Sequence, residues 1–93
     1  MPKNLKKFEF EFIDESESRE ISFDYDDVGE ADEDIEMSFV GDTPIVHANS
    51  KALITLAKLF IKLALGNYKS GFHVHIRKNF DGDESDIMIV TLK

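Results

Sequence analysis

The residues best equipped for chemistry are two histidines one residue apart, His73 and His75. On an extended strand the side chains at i and i+2 share a face, so both imidazoles could reach one metal ion. His47 is the remaining histidine and the remaining candidate for a third ligand. A zinc site takes three or four ligands, and nothing in the spacing places His47 beside the pair. The expectation is therefore two strand histidines bonded to neighbours or water, with no metal. Asp24-Tyr25-Asp26-Asp27-Val28-Gly29 opens like a calcium loop. It fails at Val28, where an oxygen ligand belongs, and at Ile35, where the closing Glu should stand. An acidic loop is the expected structure there.

No other chemistry is spelled out. The chain has no cysteine, which excludes disulfides and thiolate metal sites and fits a reducing compartment. No G-x-S-x-G nucleophile setting and no glycine-rich phosphate loop occurs. Carboxylates are abundant, but no pair is singled out for acid–base work. The expectation is a protein with no catalytic residues and no cofactor, one that is not an enzyme. A metal-dependent enzyme on His73, His75 and His47 is the alternative.

Charge is unevenly spread. Residues 1–36 hold 14 Asp/Glu and 4 Lys/Arg, a net of −10, whereas residues 37–93 hold 5 and 7, a net of +2. Such acidity repels nucleic acid and anionic membrane and suits a basic partner. The opening MPKNLKKFEFEFIDE lacks the apolar run of a secretory signal, because Glu9 and Glu11 interrupt it. No stretch is long and apolar enough to span a bilayer. A cytoplasmic protein is expected.

The elements that must carry these residues follow from periodicity. The 93 residues suit one domain, 1–93. Lys7–Ile13 alternates Phe8, Phe10 and Phe12 with Glu9 and Glu11, the period of a half-buried strand. Arg19–Tyr25 repeats the pattern with Ile21, Phe23 and Tyr25 on one face and Ser22 and Asp24 on the other, and the two read as a hairpin about an Asp14–Ser18 turn. Asp26–Asp34 reads as a loop. Ile35, Met37 and Phe39 mark a third strand ending near Gly41-Asp42, with a short extended piece at Ile45–Ala48. Phe72–Lys78 is a strand with Phe72, Val74 and Ile76 on one face and His73, His75 and Arg77 on the other. Asn79–Ser85 reads as a turn. Asp86–Leu92 is apolar on both faces, as a central strand would be.

The helix is the plainest element. Asn49 or Ser50 can cap it, residues 51–65 hold no Gly or Pro, and Gly66-Asn67 suggests a left-handed stop. Lys51, Thr55, Lys58 and Lys62 fall on one narrow stripe; the other positions from Ala52 to Leu65 are apolar. A surface helix buries a stripe of roughly 100° or more, so this one needs cover on more than one side. The fold class is α+β: an antiparallel sheet of four to five strands with one long helix on one face, in the order β-β-β-(β)-α-β-β. Phe8, Phe10, Phe12, Ile21, Phe23, Phe72, Val74 and Ile76 should face the helix.

From Ile45 onward the chain resembles a known pattern. IVHANSKALITLAKLFIKLA, then GFHVHI, then an Asp/Gly turn and IMIVTL, are similar to the immunity protein thirty-two family of bacterial polymorphic toxin systems. The resemblance covers residues 45–92, and Gly71, His73 and His75 after the helix are its most specific part. It implies a small α+β protein that binds and inhibits a cognate toxin, with no enzyme activity of its own.

A recognition surface for such a partner is expected on the polar sheet face, from Glu9, Glu11, Asp24, Glu36, His73, His75 and Arg77. The apolar breadth of the helix further predicts a homodimer, or a docking site for the toxin. A structural or regulatory homodimer without a toxin partner is the competing reading.

Overall fold

A computed structural model describes residues 4–24, 33–78 and 85–93. The expected Asp26–Asp34 loop and Asn79–Ser85 turn lie outside the described residues, except for residues 33, 34 and 85. The described elements are a 3₁₀ turn Ser16–Ser18, β1 Ile35–Val40, β2 Thr43–Ala48, α1 Ser50–Leu65, β3 His73–Arg77 and β4 Asp86–Thr91. The fold is α+β.

Among the described residues the strands form two antiparallel pairs, β1-β2 and β3-β4, and not one sheet of four to five. The expected hairpin of Lys7–Ile13 and Arg19–Tyr25 does not form among the described residues. The acidic side chains between the two segments explain this. Glu15 accepts from the Ser22 amide at 3.2 Å and the Ser22 hydroxyl at 3.1 Å, and Asp14 accepts from the Ser16 amide at 3.0 Å and the Asn67 amide at 3.1 Å. Of these backbone donors the Ser22 amide lies in an expected strand, and Glu15 thus takes a donor that a ladder would use. Arg19 closes the 3₁₀ turn in the left-handed region, φ 57°. The order of elements therefore begins with the 3₁₀ turn, and among the described residues β4 pairs with β3 alone, not as a central strand.

The period-of-two reading survives the loss of the strands. Glu9 and Glu11 are exposed, while Phe10 and Phe12 are half-buried and stack with ring centroids 5.8 Å apart. Phe8 extends this row, at 6.3 Å from Phe10, but is itself exposed. Of the other residues expected at the helix, Val74 and Ile76 are buried; Ile21, Phe23 and Phe72 are partly buried against the core.

That core joins both strand pairs to α1: Ile35 from β1; Ala52, Leu56, Leu59 and Leu63 from the helix; Val74 and Ile76 from β3. In the first hairpin, Ile35, Met37 and Phe39 lie opposite Ala48, Val46 and Pro44. This face is buried at Ile35 and opens to solvent at Phe39. Gly41, φ 61°, leads the two-residue connection, the pattern of a type II′ turn.

The helix begins at Asn49, whose side chain accepts from the Ala52 amide at 2.8 Å and the Asp34 amide at 3.2 Å. One side chain thereby caps α1 and ties it to the start of β1. Asn49→Ala is expected to lower stability by about 1 kcal/mol, the usual loss of such a cap. Urea unfolding checks it; an unchanged midpoint would show that the cap contributes nothing.

The helix end corrects the expectation of a left-handed stop. Gly66 has φ −74° and ψ 169°, an extended conformation open to any residue. Glycine is needed there for space. A Cβ would come within 2.8 Å of the Lys62 carbonyl oxygen and of the Tyr68 ring, and within 2.9 Å of an Asp14 carboxylate oxygen.

The orientation of α1 is the main surprise. Its polar stripe faces inward: Thr55 and Lys62 are buried, and Lys51 and Lys58 are half-buried. The N-terminal segment covers it. Lys62 Nζ donates to Asp24 Oδ1 and to the Ser22 carbonyl, each at 2.9 Å, and Lys58 Nζ lies 5.6 Å from the Phe10 ring centroid. Thr55 Oγ1 is buried with no hydrogen-bond partner among the described residues. The uncovered stripe is apolar: Leu53, Ala57, Phe60 and Ala64 are all exposed.

Candidate functional site

The outer face of the β3-β4 pair gathers the chain's most organised polar side chains. Val74 and Ile76 are drawn into the core, so alternation turns His73, His75 and Arg77 outward. His73 lies opposite Thr91, and His75 opposite Ile89. The ladder extends past the strand ends through Gly71 N–H to the Leu92 carbonyl at 2.8 Å and Leu92 N–H to the Phe72 carbonyl at 2.9 Å.

A register shift between Ile76 and Arg77 completes the face. Ile76 pairs with Met88, but Arg77 pairs with Asp86, so β4 carries one extra residue, Ile87. Such a bulge re-aims the side chains beyond it. Regular alternation would place Asp86 with Met88 on the core side. The bulge instead brings Asp86 to the outer face, where Oδ2 accepts from His75 Nδ1 at 2.6 Å and Oδ1 accepts from Arg77 Nε at 3.2 Å. The His75 hydrogen bond, then that of Arg77 and the charges of both, outweigh partial desolvation and hold the Asp86 carboxyl below its ordinary range.

His73 sits beside His75, ring centroids 5.2 Å apart and planes 60° apart, with its Nδ1 3.2 Å from the Gly71 carbonyl oxygen. His47 is elsewhere, on β2, with Nε2 3.3 Å from Ser38 Oγ. Among the described residues no group of three or more His, Cys, Asp or Glu is placed to hold a metal ion.

The other expected site residues fall into separate groups. Glu36, exposed on β1, reaches Lys78 at 3.4 Å, just beyond Arg77. Glu11 and Asp24 line a cleft together with Lys62, and Asp24 is already paired to that lysine. Glu9 makes an exposed pair with Lys7 at 2.8 Å.

Sequence reasoning missed three residues. Asp86 was hidden in an apolar strand; an acid at a position that alternation assigns to the core was the available signal for a bulge. Lys62 looked like a solvent-facing lysine. Tyr68 donates its hydroxyl to the Glu20 carbonyl and packs on Phe72 with centroids 4.4 Å apart. These two rings line a second cleft, of about 630 Å³, with Asp14, Ser16, Glu17, Arg19, Asn67 and Lys69. Desolvation, then the Asp14 and Glu15 carboxylates, raise the Tyr68 phenol above its usual range, so it stays a donor.

Compared with known protein families, residues 44–92 match the family model described as immunity protein 32. The match spans just over half the chain and takes in β2, α1, β3 with its histidine pair, and β4. The chain belongs to the immunity protein 32 family. No curated protein and no solved structure matches the chain. The immunity protein 32 match leaves out β1 and the acidic residues 1–36. No helix among the described residues is long and apolar enough to cross a membrane.

Proposed function

We propose that this protein is a cytoplasmic immunity protein that neutralises a cognate bacterial toxin by binding it directly, and that it works as a binding protein, not as an enzyme. The immunity protein 32 match over residues 44–92 carries this reading. The net charge of −10 over residues 1–36 supports a basic partner and disfavours nucleic acid and anionic membrane. In this proposal Glu9, Glu11, Asp24, Glu36, His73, His75 and Arg77, which stand in separate groups, contact the partner. Glu9, Glu11, Glu36, His73 and His75 are exposed and reachable by a partner. Asp24 also holds Lys62, so its replacement would mix a folding effect with a binding effect.

The clean test uses Glu9→Gln, Glu11→Gln and Glu36→Gln together. Co-expression of the wild-type chain with the toxin encoded beside it should restore growth. The triple variant should bind that toxin about tenfold more slowly at low salt, since charge complementarity acts mainly on the association rate. The difference should shrink at physiological ionic strength. An association rate indifferent to both salt and the substitutions would remove the acidic surface from the mechanism. Failure of the wild type to protect would remove the immunity reading itself.

A further inference from the structure

Both rings of the histidine pair are held through Nδ1. The Gly71 carbonyl can only accept, so His73 Nδ1 carries the proton in their 3.2 Å contact. The Asp86 carboxylate likewise accepts from His75 Nδ1 at 2.6 Å. In a neutral imidazole a proton on Nδ1 leaves the lone pair on Nε2. Both rings therefore have the same tautomer fixed from behind, one by a backbone carbonyl and one by a carboxylate. This is the outer-shell arrangement that orients ligating histidines and raises their basicity. Neither Nε2 has a hydrogen-bond partner among the described residues, whereas the Nε2 of His47 is engaged by Ser38.

The ring separation fits as well. With Zn–N bonds of about 2.0–2.1 Å and the ion in each ring plane, a centroid lies about 3.2 Å from the metal, so two imidazoles at a tetrahedral angle keep their centroids about 5.2 Å apart. The His73 and His75 centroids are 5.2 Å apart. Arg77 adds positive charge to this face, but Asp86 is bonded to it and balances it. The chain's net charge of −8 favours a cation.

We propose that His73 and His75 form an open two-imidazole site for a borderline divalent ion, zinc, nickel or copper(II), bound through both Nε2 atoms with Asp86 as the positioning residue. The remaining coordination positions are left to water or to donors brought by a bound partner. Imidazole donors select these ions over magnesium and calcium, which prefer oxygen. The site is open, unlike a closed structural zinc centre, and does not hold the fold together.

The test uses the full untagged chain, stripped with chelator and titrated with nickel or zinc chloride in the presence of millimolar magnesium. One saturable ion is expected. His73→Gln or His75→Gln should weaken it at least tenfold, and Asp86→Asn about tenfold, at the low end for an outer-shell partner. His47→Gln should change nothing. Nitrogen-15 histidine spectra of the wild type with zinc give a readout that needs no variant: Nε2 of residues 73 and 75 should shift together while their Nδ1 protons persist. Saturable binding that survives the His73→Gln/His75→Gln double variant would overturn the site. So would displacement by magnesium, or zinc shifts that leave both Nε2 resonances unmoved.

Discussion

Replacing Asp24 by Ala should lower stability by about 2 kcal/mol, whereas replacing Lys62 by Met should leave it within about 1 kcal/mol of wild type. The asymmetry comes from where each charge sits. The Lys62 side chain is 5 % exposed and that of Asp24 is 37 % exposed, so the cation, not the anion, has given up its water. Without Asp24 the ammonium stays buried with the Ser22 carbonyl as its remaining partner in this contact. Breaking a fully buried pair costs about 3–5 kcal/mol, and the partial exposure of Asp24 argues for less. Methionine fills the same volume and removes the buried charge altogether, while Asp24 and the Ser22 carbonyl can turn to solvent. A loss of about 2 kcal/mol lowers the melting temperature by roughly 8–16 °C in a domain this small. Urea and thermal unfolding of the two variants measure it. Equal losses in both would mean that Lys62 is hydrated and that the pair works as an ordinary surface contact.

The same lysine marks where the sequence stopped being legible. The helix, β1, the short β2, β3 and β4 could all be read, because each carries its own period and its own punctuation. The parity of Phe8 to Phe12 was legible too, and Glu9 and Glu11 face outward as that parity requires. What could not be read was which stripe of α1 faces in. Three lysines and a threonine suggest water, yet Asp24 and Ser22 are 38 and 40 positions from the Lys62 they hold, and Phe10 is 48 from Lys58. No local pattern encodes that pairing. The hairpin failed for a related reason: Asp14 and Glu15 read as generic turn formers, but Glu15 takes the Ser22 amide, a donor of the expected ladder, while Asp14 bonds the Ser16 and Asn67 amides. At the histidine face the ligand spacing was visible and the positioning residue was not. Asp86 reaches His75 through a one-residue bulge that alternation alone does not announce.

Sedimentation of the wild-type chain at micromolar concentration should show a dimer, and Phe60→Glu should return it to a 10.6 kDa monomer. The inward polar stripe is what makes this expectation specific. Leu53, Ala57, Phe60 and Ala64 are spaced four, three and four residues apart, one stripe of a helix. All four are exposed, with Leu53 at 55 % and Phe60 at 43 %. The stripe alternates large and small. An antiparallel copy related by a two-fold axis between residues 58 and 59 would set Leu53 against Ala64 and Phe60 against Ala57, large into small at every contact. Self-complementarity of this kind is what a closed two-fold interface requires. The net charge of −8 opposes association in general, but α1 holds no Asp or Glu. The covering segment 8–24 contacts the helix through Lys58 and Lys62, each about 200° around the helix from an exposed apolar residue two positions on. The apolar stripe is therefore clear of the acidic segment. Exposed apolar patches of more than a few hundred Å² are uncommon on monomers. A wild-type chain that sediments cleanly at 10.6 kDa would refute the dimer. Loss of protection by Phe60→Glu in that case, with folding intact, would assign the stripe to the toxin.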